Sequence, residues 1–180
     1  PAPLSMQVRV IIDHSTSMNH NPIRAAIVAA AAVNLACTEL GIPHIVTITP
    51  DDIRVADQDS GERGLAMIAG SFPAQKGYED AGKTLAIHCA ELLAAPADLN
   101  LVLVIHDGAS NDEDVLTRVC REMREKLLII GLYIGSSSAD WSELIETLSG
   151  QFGADRLIVM PSVDDLSSRV AAIIRNVRGE

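Results

Sequence analysis

The sequence is short of aromatic residues, with two Phe, two Tyr and one Trp in 180 positions. A core must therefore be filled by Ala, Val, Ile and Leu, and 48% of the chain is hydrophobic, so burial is not limiting. Small aliphatic side chains suit helices packed closely on a sheet. Basic residues are also scarce: 14 Lys and Arg against 24 Asp and Glu give a net charge of −10. Phosphate binding needs clustered Lys and Arg, so nucleic acid is excluded as the main partner, and an anionic membrane surface is disfavoured for the same reason. A cation or a basic protein surface fits better, although such a charge also serves solubility alone.

Cysteine is rare and odd in number. Cys37, Cys89 and Cys120 match no metal-binding spacing and sit in apolar helical patterns, so buried free thiols are expected. This favours a reducing, cytoplasmic setting. No stretch reaches the roughly 18 consecutive apolar residues of a membrane span. Residues 23–40 come closest, but Arg24, Asn34, Thr38 and Glu39 interrupt them. No signal-peptide pattern opens the chain, and a first residue of Pro fits a piece of a longer protein. Several catalytic signatures are missing as well: Gly-x-Ser-x-Gly, the phosphate-binding loop and Gly-x-Gly-x-x-Gly. An enzyme is not expected.

What is present is an alternation of short apolar runs with helical patterns. Strands are predicted at 6–13, 44–49, 52–56, 100–106, 127–134 and 157–160. Helices are predicted at 22–40, weakly at 61–71, and at 80–95, 112–126, 139–152 and 163–177. Pro22 suits a first helical turn, and Gly41 with Pro43 stops that helix. The strands are continuous apolar runs, the pattern of a parallel sheet buried on both faces. The expected fold is a doubly wound α/β domain over 6–178, after a five-residue tail. Its central sheet should have about six strands, mostly parallel, with 52–56 as one antiparallel edge strand and helices on both faces. Ligands in such folds bind at the carboxyl ends of the strands.

Two loops leave central strands at that end. The first is Asp13-His14-Ser15-Thr16-Ser17, and the second is His106-Asp107-Gly108-Ala109-Ser110-Asn111-Asp112. A third, Lys76-Gly77-Tyr78-Glu79-Asp80, precedes a helix and could join them. In a tight loop the oxygens of Asp13, Ser15 and Ser17 can converge on one point. Mg²⁺ asks for about six oxygens near 2.1 Å. The same residues could instead cap the helix that follows, and Glu79 and Asp80 could serve the dipole of theirs. His14 and His106 neighbour the candidate acids, but alternation within each loop points them away from the ligand set. His20, His44 and His88 read as surface residues of helices or strands.

These residues carry a family resemblance. Asp13-x-Ser15-x-Ser17 resembles the metal-ion-dependent adhesion site of von Willebrand factor A domains. Leu101-Val-Leu-Val-Ile-His-Asp107-Gly108 resembles that family's fourth strand with its second metal-site Asp, and Ile129-Ile-Gly-Leu-Tyr-Ile-Gly135 the strand that follows. The element order agrees over nearly the whole chain. Two positions depart from the pattern: Thr16 stands where the family usually has Gly, and Gly77-Tyr78-Glu79 where it usually has Gly-Gly-Thr. The resemblance implies a metal site of Asp13, Ser15, Ser17, Asp107 and Glu79, with Asp80 as a substitute for Glu79. The ion is Mg²⁺ by expectation, with Mn²⁺ or Ca²⁺ as alternatives. It would hold an acidic side chain of a partner protein, and bacterial cytoplasmic members of the family work beside AAA+ ATPases or in metal-chelatase complexes. A metal-stabilised subunit with its partner surface elsewhere is the alternative, and a metal-dependent hydrolase or phosphotransferase is a third.

Overall fold

A computed structural model describes residues 5–18, 21–71, 80–95, 97–108, 110–135 and 141–160. Glu79, Ala109 and the helix expected at 163–177 lie outside the described residues. Six strands form one sheet: β1 (Met6–Ile12), β2 (His44–Ile48), β3 (Ile53–Asp57), β4 (Leu99–His106), β5 (Leu128–Ile134) and β6 (Leu157–Met160), in the order β3-β2-β1-β4-β5-β6. All pairings are parallel except β2–β3, so β3 is the antiparallel edge strand. The turn that joins those two strands holds Asp51 and Asp52 at φ 74° and 50°, a left-handed backbone that Asp tolerates better than most residues.

Side chains alternate across the sheet, and both faces are buried. Val8, Val10, Ile12, Leu101, Leu103 and Ile105 face one core, with α1 (Asn21–Glu39) and Ile68 of α2 (Gly61–Gly70) above them. Ile11, Val102, Val104 and Ile129 face the other, under α3 (Ala81–Ala94), α4 (Glu113–Met123) and Phe152 of α5 (Trp141–Phe152). Double burial explains why the strands read as unbroken apolar runs. By length and composition α1 could span a membrane, but it spends Ile23, Ala26, Ala30 and Val33 on the core.

Polar residues inside this core correct the reading of two histidines. His44 and His88 are wholly buried rather than on the surface. His44 bridges the Ile42 carbonyl at 2.9 Å and Asn34 Oδ1 at 3.0 Å, which also explains the Asn within α1. His88 Nε2 lies 3.0 Å from Thr47 Oγ1 and 2.9 Å from Asp52 Oδ1, and burial holds its pKa below the ordinary value. Each imidazole is held inside by at least one side-chain partner, and the side chains of Asn34 and Thr47 come from 10 and 41 residues away in sequence.

Two glycines make opposite tests of this packing. A Cβ on Gly131 would meet the Phe152 ring at 2.6 Å, whereas one on Gly150, within α5, would meet nothing within 4 Å. Thermal unfolding should show Gly131→Ala destabilised by about 1–3 kcal/mol and Gly150→Ala stabilised by about 0.5–1 kcal/mol.

Candidate metal centre

Pairing of β1 with β4 brings the first two loops together. The register sets Ile12 against Ile105, and the Asp13 amide continues the ladder to the Ile105 carbonyl at 2.8 Å. Asp13 and Asp107 therefore leave neighbouring strands at the same end of the sheet. Asp13 is buried, and its Oδ1 accepts the Ser15 amide at 2.7 Å, which folds the loop back on itself. Ser15 Oγ lies 2.8 Å from Ser17 Oγ, and Ser17 Oγ donates to Asp107 Oδ1 at 2.9 Å. Three of the five expected ligands thus form one chain of oxygens across two loops, and Asp13 joins them through the Ser15 amide.

The spacing of these oxygens suits a small hard cation. Neighbouring ligands on an octahedron of about 2.1 Å radius lie about 3.0 Å apart. The two O···O separations match that edge. Asp13 Oδ2 is buried and has no hydrogen-bond partner among the described residues, a position that a cation would satisfy. The Asp107 carboxyl is pushed up to about 6, first by burial, with the Asp13 charge adding to it against the Ser17 hydrogen bond. One buried and one half-buried carboxylate at the same sheet end leave room for a positive charge. Among the described residues no three of His, Cys, Asp and Glu gather at a metal-holding distance; here the donors are two carboxylates and two hydroxyls.

The neighbouring histidines do other work. His106 is buried, donates Nδ1–H to the Gly108 carbonyl at 2.7 Å, and packs on the rings of Tyr133 and Phe152. It braces the turn just after Asp107. His14 turns away to the Ser71 carbonyl, while its amide donates to Thr49 Oγ1 at 3.3 Å. Asp80, the substitute for Glu79, sits at the start of α3, and its pKa is raised by burial and then by Asp112. The charges that act on it are those of Asp112, Lys83 and Asp51, not those of Asp13 or Asp107.

Asp112 has a role that sequence reasoning missed. It reads as a first-turn acid of its own helix, α4. Its carboxylate instead accepts the Gly82 and Lys83 amides at 2.9 and 2.8 Å, and the Ser110 hydroxyl at 2.6 Å. The second loop thereby caps α3, the helix that follows the third loop. A Cβ on Gly82 would meet the Leu116 amide at 2.5 Å, so a glycine is what lets the two helices approach. The Gly in the first turn of α3 was the available signal.

No family model and no curated protein matches the sequence. Solved structures do match. A von Willebrand factor type A protein from Catenulispora acidiphila aligns with 94% of this chain and 42% of its own, at 19% identity and TM-score 0.63. The fold is von Willebrand factor A-like. The PilB minor pilin of Streptococcus sanguinis aligns with 98% of this chain and 62% of its own, at 8% identity and TM-score 0.77. The pilus adhesin SpaC of Lactobacillus rhamnosus GG aligns with 99% and 31%, at 11% identity and TM-score 0.73. This chain thus spans from under a third to under two thirds of these neighbours' lengths. At such identities the likeness concerns the fold.

The Asp107 carboxyl, raised first by burial and then by the Asp13 charge, gives a testable pH effect. An acid whose folded pKa lies above its unfolded value withdraws stability as pH rises between the two. At neutral pH in EDTA, Asp107→Asn, which keeps an oxygen for Ser17, should unfold at a higher temperature than the parent. Saturating Mg²⁺ should reverse that order by stabilising the parent alone. A variant less stable than the parent in EDTA would contradict this effect.

Proposed function

We propose that this von Willebrand factor A-like domain binds a partner protein through a divalent cation, Mg²⁺ first, held by Asp13, Ser15, Ser17, Asp107 and Glu79. The observation that carries the reading is the chain of oxygens from Ser15 through Ser17 to Asp107, beside the unpartnered Asp13 Oδ2. The hydroxyls would coordinate directly, and the carboxylates directly or through water. A bound ion would supply a Lewis-acidic point of attachment for a partner's acidic side chain. The protein's own groups orient it: the Ser15 amide holds Asp13, and His106 braces the turn after Asp107.

Glu79 tunes this balance in our reading. Asp13 and Asp107 already neutralise a divalent ion, so a third carboxylate makes the site net negative. Metal is then held firmly, and an acidic partner is held less well than with Thr in that position. The setting we propose is cytoplasmic, on the scarcity of cysteine and the burial of all three, with an AAA+ or chelatase-type assembly as partner. The names of the SpaC pilus adhesin and the PilB minor pilin point to an adhesive, pilus-associated setting as the other reading.

Calorimetric titration of Mg²⁺ into metal-stripped protein tests the proposal. One saturable site is expected, lost in Asp13→Ala and about tenfold weaker in Glu79→Thr, the size of roughly 1.4 kcal/mol. No heat of binding in the parent would remove the metal from the account, and tighter binding in Glu79→Thr would remove the role given to Glu79.

A further inference from the structure

The outward face of α1 is unusual for a surface helix. Val28 and Leu35 are 48% and 45% exposed, and Ala31 and Ala32 between them are partly exposed. The exposed charges along this stripe are Arg24 near its start and Glu39 at its end. A solvated face would carry more charge than this.

The order of the stripe is self-complementary. In an antiparallel pair of identical helices, residue i faces residue j where i and j sum to a constant. The two alanines, Val28 with Leu35, and Arg24 with Glu39 all satisfy one sum, centred between Ala31 and Ala32. A two-fold axis there sets Arg24 of each copy against Glu39 of the other and Val28 against Leu35, with the smallest side chains at the crossing. Small residues permit the close helix approach, about 8 Å between axes, at the short end of the packing range. Opposite charges at the two ends fix the antiparallel direction, since a parallel pair would set Arg24 beside Arg24. Isologous contact of this kind is the commonest way for identical chains to associate.

We propose that α1 is a self-association face that joins two copies of this chain as an antiparallel, two-fold dimer. A strip from Arg24 to Glu39 about 24 Å long and about 10 Å wide is well short of the about 800 Å² per partner of a standard interface. The dimer is therefore weak and forms as concentration rises. It is independent of the metal site, which lies at the ends of the strands rather than on this helix.

Sedimentation equilibrium of the full chain over a wide concentration range, with and without EDTA, is the test. A concentration-dependent dimer is expected in both. Val28→Asp and Leu35→Asp, on an exposed face, should abolish it while leaving the unfolding temperature nearly unchanged. Arg24→Glu should weaken it at least tenfold, and Arg24→Glu combined with Glu39→Arg should restore it. Oxidation of Ala31→Cys should give a covalent dimer against low background, because Cys37, Cys89 and Cys120 are buried. A monomer at every concentration, a dimer indifferent to Leu35→Asp, or a charge swap that fails to restore would each overturn the proposal. So would binding of α1 to phospholipid vesicles by a chain that stays monomeric in water.

Discussion

The in-register parallel pairing of β1 with β4 is the contact on which the site depends. It places Ile12 opposite Ile105 and carries the ladder one residue further through the Asp13 amide. Each strand is buried on both faces, so a slip by one residue would drive core side chains into the wrong layer. The apolar packing of Val8, Val10, Leu101 and Leu103 therefore fixes where Asp13 and Asp107 emerge. Two carboxylates are brought together by hydrophobic burial, against their mutual repulsion. The Ser17 hydroxyl, bonded to Asp107 and next to that of Ser15, links the two loops.

Burial of the Asp107 carboxyl, with the Asp13 charge adding to it, is the reason we propose a site here and not a set of helix caps. Capping asks only for an oxygen near free amides. It does not ask for an Asp107 carboxyl pushed up to about 6 or for a buried Asp13 oxygen left without a partner. Costs of this kind persist where a ligand repays them. The third side of the site is tied in by other means. Asp112, from the second loop, holds the first amides of α3, so the helix after Glu79 is fixed to the loop that carries Asp107.

Much of this was legible in the chain. Apolar runs locate five of the strands, and the short, more polar 52–56 is the edge strand that the sequence predicts. Asp13, Ser15, Ser17 and Asp107 could be picked out because each lies just beyond a buried strand, where α/β folds bind ligands. The exceptions share one cause. His44, His88 and Asp112 each take a partner 10 to 41 residues away, and local patterning is silent about such contacts. His88 sits where a surface residue is expected by period alone, yet Thr47 and Asp52 give it a buried polar niche. Asp112 obeys the rule for its own helix while serving another.

Crystals grown or soaked with Mn²⁺ and measured at an anomalous wavelength would test the central claim most directly. The account predicts one strong anomalous peak about 2.1–2.2 Å from Ser15 Oγ and Ser17 Oγ, with the carboxylates of Asp13 and Asp107 beside it and Glu79 closing the third side. A peak elsewhere on the molecule, or none here at saturating Mn²⁺, would contradict it.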